Sequence, residues 1–196
     1  MRFFRCFACI LVLFATGTSS AQDNCSIVLV ADGAEYSMFK GGAVDDGLLP
    51  LNLDADGDGV PDRPNEPAPG EEDGMATLGW TLEDFDDTDW EVAPSGFGYG
   101  DRLDLIGTVL DDMEDSYVSV YLRHTFEVKD LGAVSALALN MDYDDGFVVY
   151  LNGIEIARRN LDGTPPAFNT LAVTNHESTG TLELVPLLDI DALEEG

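Results

Sequence analysis

The stretch that most constrains the fold is Asn140 to Arg159, NMDYDDGFVVYLNGIEIARR. Two apolar-rich runs flank Asn152-Gly153, a dipeptide that suits a two-residue hairpin because both central positions need φ > 0. On the first run Phe147, Val149 and Leu151 point one way, and Val148 and Tyr150 the other. On the second, Ile154 and Ile156 are expected on one face, with Glu155 and Ala157 opposite. The turn Asp144-Asp145-Gly146 leads into this hairpin. A lone hairpin is marginal in water, so further strands must cover its face.

Those strands can be traced along the chain. Ser26 to Ala31 reads as one and Glu35 to Phe39 as the next. Ala76 to Trp80 reads as a short strand. Tyr117 to Val128, YVSVYLRHTFEV, is the clearest long one, with Val118, Val120, Leu122, Phe126 and Val128 in one parity. Another lies around Ala136 to Asn140. Thr181 to Leu187 follows late, and Pro186 argues for an edge or end position. Between them, Asp84 to Trp90 suits a surface turn anchored by Phe85 and Trp90, and Pro94 to Asp101 a glycine-rich turn that tucks Phe97 and Tyr99 inward. Gly163 to Phe168 suits a loop. No long amphipathic helix is apparent. The expectation is all-β: a jelly-roll-like, two-sheet antiparallel sandwich.

Residues 1–21 are read as a signal peptide. A short basic start containing Arg2 and Arg5 precedes the apolar run Cys6 to Ala15, and Ser19 and Ala21 are the small residues of a cleavage site. The protein is therefore expected to be secreted, extracellular or periplasmic. Residues 22–196 form the module. Within the mature part Cys25 stands alone, a free thiol or one paired with a segment not present here. The whole chain carries a net charge of −29, and loss of Arg2 and Arg5 leaves 7 basic against 38 acidic residues. That balance disfavours nucleic acid and anionic lipid, and no membrane insertion is expected of the mature part.

Residues 41–75 are rich in Gly, Pro and Asp and read as a surface insertion. Inside it lies Asp54-Ala55-Asp56-Gly57-Asp58-Gly59-Val60-Pro61-Asp62. Calcium takes six to eight oxygen ligands in a flexible shell. Carboxylates at alternate positions converge where the chain curls. Asp54, Asp56 and Asp58, the Val60 carbonyl and Asp62 are the candidate Ca2+ ligands. Position 12 of the loop falls on Asn65, so it is not a complete EF-hand loop. It resembles the shorter calcium repeats of thrombospondin type 3 and dockerin-like segments.

Trp80 to Asp101, WTLEDFDDTDWEVAPSGFGYGD, followed by SVYLRHTFEV and MDYDDGFVVYLNGIEIARRN, resembles galactose-binding-like β-sandwich modules of large secreted bacterial proteins. The resemblance runs from about Tyr36 to Gly196. It implies a noncatalytic, carbohydrate-binding-like accessory module, whose partners are carbohydrate and the other domains of a longer chain. Trp90, Tyr99 and Tyr143 are the candidate sugar contacts on this reading, though a core or turn role suits each of them better. Asp-Asp-Gly before a strand also resembles the PA14 adhesin module, where adjacent aspartates hold calcium. That resemblance implies Asp144 and Asp145, with Asp142, as metal ligands, and supports the alternative of a calcium-stabilised structural or adhesive spacer. Two departures stand out. The calcium-type insertion is not a regular part of the module. In similar modules a further strand follows the turn found here as Leu193 to Gly196, so the sandwich is expected to lack an inner strand.

Enzyme signatures are missing. The sequence holds no GxSxG, no HExxH and no phosphate loop. With 38 acidic residues, carboxylate pairs carry no catalytic information by themselves. His124 falls on an apolar parity and reads as a satisfied residue at the edge of the core.

Overall fold

A computed structural model of the protein describes residues 5–15, 25–41, 76–100, 104, 106–114, 116–166, 170–187 and 192–194. The calcium-type loop, Asp54 to Asp62, lies outside these residues. The described chain is all-β. Its strands are β1 (Arg5–Ala15), β2 (Cys25–Val30), β3 (Glu35–Lys40), β4 (Glu91–Pro94), β5 (Phe97–Gly98), β6 (Thr108–Val109), β7 (Val120–Arg123), β8 (Val134–Asp144), β9 (Phe147–Leu151), β10 (Ile154–Arg159) and β11 (Glu183–Pro186). They make a six-stranded sheet in the order β11-β8-β1-β5-β6 with β2 also on β1, a three-stranded sheet β4-β3-β7, and the pair β10-β9. Every pairing is antiparallel except the short β5–β6 contact. The layered, antiparallel sandwich expected from the sequence is what forms.

The β9–β10 hairpin turns where its sequence says it should. Asn152 and Gly153 have φ of 48° and 84°, both left-handed. A Cβ at Gly153 would come 2.8 Å from Leu82 Cδ2, the tip of a 46% exposed side chain that can turn aside, so the left-handed φ is what favours glycine there. Gly153→Ala is therefore expected to cost about 1–3 kcal/mol through left-handed strain, read as a lower urea midpoint. The second strand departs from its expected alternation. A bulge between Glu155 and Ala157 shifts the register, so Ile156 and Ala157 are both buried and Ile154 is 46% exposed. Ile154 and Ile156 thus do not share a face, because an inserted residue breaks the two-residue period.

Two further expectations are corrected. Ala76 to Trp80 is not a strand but part of a 3-10 turn, Ala76–Thr81. Its last turn closes with Leu82 N–H donating to the Gly79 carbonyl at 3.1 Å, and a further turn follows with Phe85 N–H donating to the Leu82 carbonyl at 3.4 Å. The expected strand Tyr117 to Val128 narrows to Val120–Arg123, the length that β3 offers it, from Ser37↔Arg123 to Lys40↔Val120. Side-chain alternation continued further than the available backbone partners. Tyr117 and Val128 are still buried.

β8 is the strand that joins the layers. Leu137 belongs to a cluster with Tyr36, Met38, Phe97, Leu110, Met113 and others, while Leu139, Met141 and Tyr143 pack with Phe147, Ala157 and Val185. Its opposite face buries Ala138, Asp142 and Asp144. Hydrogen-bonded to β11 along one edge and β1 along the other, β8 is an interior strand of its sheet. β11 lies at the outer end of the sheet, as Pro186 predicts. The apolar run assigned to the leader also has a place: Arg5–Ala15 lies between β8 on one side and β2 and β5 on the other.

A candidate ligand site between the sheets

A cavity of 420 Å³ opens between β7 and β3 on one side and β9 on the other. Its size falls within the range of small-ligand sites. Tyr36, Phe97, Trp80 and Tyr150 give it aromatic walls. Trp80 meets Tyr121 edge-on at 5.0 Å and Tyr150 at 5.7 Å. Tyr36 meets Phe97 at 6.1 Å and the His124 ring at 5.0 Å. Thr81, Glu83, Thr125, Glu127, Asn152 and Glu194 add polar groups to the lining. Aromatic surface beside hydroxyl, amide and carboxylate groups can cover an apolar ring face while engaging its substituents.

The wall that carries Trp80 has no strand to support it, and Arg123 holds it instead. The Arg123 guanidinium donates from Nη1 to the Trp80 carbonyl, and from the same nitrogen to the Leu82 carbonyl at 2.9 Å. Its Nε donates to Asp87 Oδ2 at 3.1 Å. The Phe85 ring lies 5.1 Å from the guanidinium carbon, in cation–π range. Phe85 and Trp90 anchor the acidic turn between them as expected, at 5.6 Å, and Trp90 packs on Phe39 at 5.3 Å. At the other end Gly153 N–H donates to the Thr81 carbonyl at 3.0 Å, and Asn152 Nδ2 to the Ala192 carbonyl at 3.1 Å. The Tyr150 hydroxyl is buried with no hydrogen-bond partner among the described residues. His124 is satisfied at the edge of the core, its Nδ1 2.8 Å from the Glu35 carbonyl.

The sequence-derived candidates lie elsewhere. Trp90 is half-buried among Phe39 and Phe85. Tyr99 packs against the main core. Tyr143 is 5% exposed and stacks on His176, with ring centroids 3.9 Å apart. None of the three lines the cavity. Trp80, Tyr150 and Arg123 line it instead. Their only sequence signal was a tryptophan and an arginine among otherwise acidic or apolar neighbours.

Asp142, Asp144 and Asp145 end β8 and open the following turn. Asp142 accepts from Ser178 Oγ at 2.8 Å, Thr179 N–H at 3.1 Å and Gly180 N–H at 2.8 Å. Asp145 Oδ1 accepts from His176 N–H at 2.8 Å. Asp144 is 1% exposed. His176 completes the junction, with Nδ1 3.0 Å from the Tyr143 carbonyl and Nε2 2.9 Å from Glu183. Asp142 and Asp145 therefore tie the 176–180 segment to the end of β8 and the turn that follows it. Among the described residues no group of three or more His, Cys, Asp or Glu side chains is placed to hold a metal ion.

Three phenols are held protonated above the usual range. Burial, then the hydrogen bond to Asp112, raises Tyr117. Burial and Glu183 raise Tyr143, against Arg159, and burial and Glu155 raise Tyr150, against Arg158. For Asp112, burial works the other way, yet the bonds from Lys40 and Tyr117 hold its carboxyl below its ordinary value. A phenol whose folded pKa exceeds its unfolded value binds its proton more tightly when folded. Its contribution is complete below the unfolded pKa of about 10 and is lost as pH rises beyond it. The urea midpoint is expected to fall between pH 10 and 11.5, and Tyr117→Phe to flatten that fall. A midpoint constant across this window would contradict the expectation.

Comparison with known protein families, with curated proteins and with solved structures finds no match to this chain. The class is therefore set by the architecture: an all-β antiparallel sandwich with a cavity between its layers. No helix among the described residues is long and apolar enough to cross a membrane.

Proposed function

We propose that this protein is a noncatalytic, carbohydrate-binding accessory module of a larger secreted or cell-surface protein, of the galactose-binding-like sandwich type with jelly-roll connectivity. The observation that carries the reading is the cavity, whose aromatic walls stand beside hydroxyl, amide and carboxylate groups. Its volume of 420 Å³ accommodates one or two sugar rings. The contacts assigned are Trp80, Tyr36 and Tyr150 for ring faces, and Thr81 and Asn152 for hydroxyls. The chain has two tryptophans, so Trp90→Phe leaves Trp80 as the sole indole reporter. Titration of that variant with neutral oligosaccharides is expected to shift or quench its emission, and Trp80→Phe in the natural background to lose the response. Absence of any response or retention across a panel of neutral polysaccharides would overturn the reading.

Calcium belongs to the same proposal as a stabiliser, bound by Asp54, Asp56, Asp58, the Val60 carbonyl and Asp62. A ligand that binds only the folded state raises its stability, by about 2.7 kcal/mol at a hundredfold excess over Kd. Chelation is expected to lower the melting temperature of the natural protein, and to leave that of Asp56→Ala/Asp58→Ala unchanged. Equal curves with and without chelator would remove calcium from the account.

A further inference from the structure

Asn152-Gly153 is the only Asn-Gly pair in the sequence. An asparagine before glycine is chemically labile, because no Cβ on the second residue shields the carboxamide carbon from that residue's main-chain nitrogen. The pair forms the tip of the β9–β10 hairpin, whose ladder closes at Leu151↔Ile154 and leaves both turn residues outside it. Yet each of the groups that would react is held. Gly153 N–H, the nucleophile, donates to the Thr81 carbonyl at 3.0 Å. Asn152 Nδ2, the leaving group, donates to the Ala192 carbonyl at 3.1 Å. The two bonds draw nitrogen and carboxamide toward different segments of the chain.

The first bond depends on the turn that carries Thr81, and that turn depends on Arg123. Leu82 N–H closes it on the Gly79 carbonyl at 3.1 Å. The Arg123 guanidinium donates to the Trp80 and Leu82 carbonyls, on either side of Thr81. Among the described residues no strand pairs with this turn. Thr81 and Asn152 both line the cavity between the sheets. Asn152 is exposed, so water reaches its side chain.

We propose that Asn152 is a deamidation site held latent by the Thr81 carbonyl, and that loosening of the Trp80 wall converts it to aspartate or isoaspartate. The Gly153 nitrogen gives up its proton and bonds to Asn152 Cγ. The Cγ–Nδ2 bond breaks, and the carboxamide nitrogen leaves as ammonia, carrying that proton. Water then opens the cyclic imide. Cleavage between the Gly153 nitrogen and Cγ gives aspartate, and cleavage between that nitrogen and the main-chain carbonyl carbon gives isoaspartate. Nothing is oxidised or reduced, and water is the only co-reactant. Where Nδ2 donated, a carboxylate now faces the Ala192 carbonyl, acceptor against acceptor. Its charge joins Glu83 and Glu194 in the cavity lining. Ammonia is lost for good, so the site records how long the wall has stood open.

The test follows the tryptic peptide carrying Asn152, from the full chain incubated at mildly alkaline pH. Mass spectrometry reads the loss of ammonia and gain of water, and isoaspartate-specific methylation reads the rearranged product. In buffer the natural protein is expected to deamidate at Asn152 about tenfold or more slowly than in guanidinium chloride, because attack waits on local opening. Arg123→Lys and Arg123→Ala, with circular dichroism showing a folded body, are expected to move the rate in buffer toward the denatured one. Asn152→Asp, which carries the product's charge, is expected to unfold at a lower urea midpoint than the natural protein. Equal rates in buffer and denaturant would overturn the lock. Arg123 variants that keep the slow natural rate would overturn its dependence on the Trp80 wall. An unchanged midpoint for Asn152→Asp would overturn the effect assigned to the product. The comparison of buffer with denaturant needs no variant, so it decides the lock even where Arg123→Ala does not fold. No readout involves a sugar, so this inference and the proposed function fail independently.

Discussion

Asp142→Ala is expected to destabilise the protein by about 3–5 kcal/mol, because three hydrogen bonds to a carboxylate are lost at once and bonds to charged groups count for about 1.5–3 kcal/mol each. Asp142 is 4% exposed. It satisfies the backbone N–H groups of Thr179 and Gly180 and the Ser178 hydroxyl. Alanine leaves those donors without their acceptor, and the loop from His176 to Gly180 loses its anchor to β8. Asp142→Asn keeps the shape but weakens every bond by removing the charge, and one of its two terminal atoms becomes a donor facing donors. Its cost is expected to be about half that of alanine. Urea unfolding would report both, and hydrogen exchange would show loss of protection centred on residues 178–180. A carboxylate held mainly for metal binding predicts otherwise: a small loss without metal, and a larger one with it.

Arg123→Ala is the second large effect. It removes the donor set that holds the Trp80 and Leu82 carbonyls and the partner of Asp87. The expected cost is about 2–4 kcal/mol, the range for a broken, partly buried charged network. The functional consequence is sharper than the global one. The 76–90 segment has no strand pairing of its own, so without the guanidinium the Trp80 wall loses its position and sugar-dependent fluorescence should vanish. Arg123→Lys should not restore it, because an ammonium cannot reproduce the planar fork that serves two carbonyls and a carboxylate together. If Arg123→Lys binds sugar like the natural protein, Arg123 is only a charge and not the support of the wall.

Most of the strands could be read from the sequence, because each rests on a local signal. Asn152-Gly153 fixed the hairpin, Pro186 the edge, and Phe97 its own burial. What misled was information that is not local. The bulge at Ile156 cannot be read from alternation, since a single extra residue leaves the apolar pattern intact while changing which side chain faces in. Tyr117 to Val128 alternates beyond the reach of its partner β3, so periodicity overstated the strand. The cavity was not legible because its walls come from segments far apart in sequence: Trp80 from a 3-10 turn, Tyr36 from β3 and Tyr150 from β9. Trp90, Tyr99 and Tyr143 are aromatics near turns, and they pack on Phe39 and Phe85, on the main core and on His176, away from the cavity lining.

The described cations of the mature part are already engaged: Lys40 with Asp112, Arg123 with Asp87, Lys129 near Glu127 and Arg158 with Glu155, while Arg159 donates to a main-chain carbonyl. What faces a molecule approaching the cavity is a field from Glu83, Glu127 and Glu194 with no opposing charge in its lining beyond Arg123. On the proposed carbohydrate reading, that field would disfavour uronic or sulfated polymers and spare neutral glycans, most strongly in dilute buffer where the Debye length is longest, so the choice between them would depend on salinity.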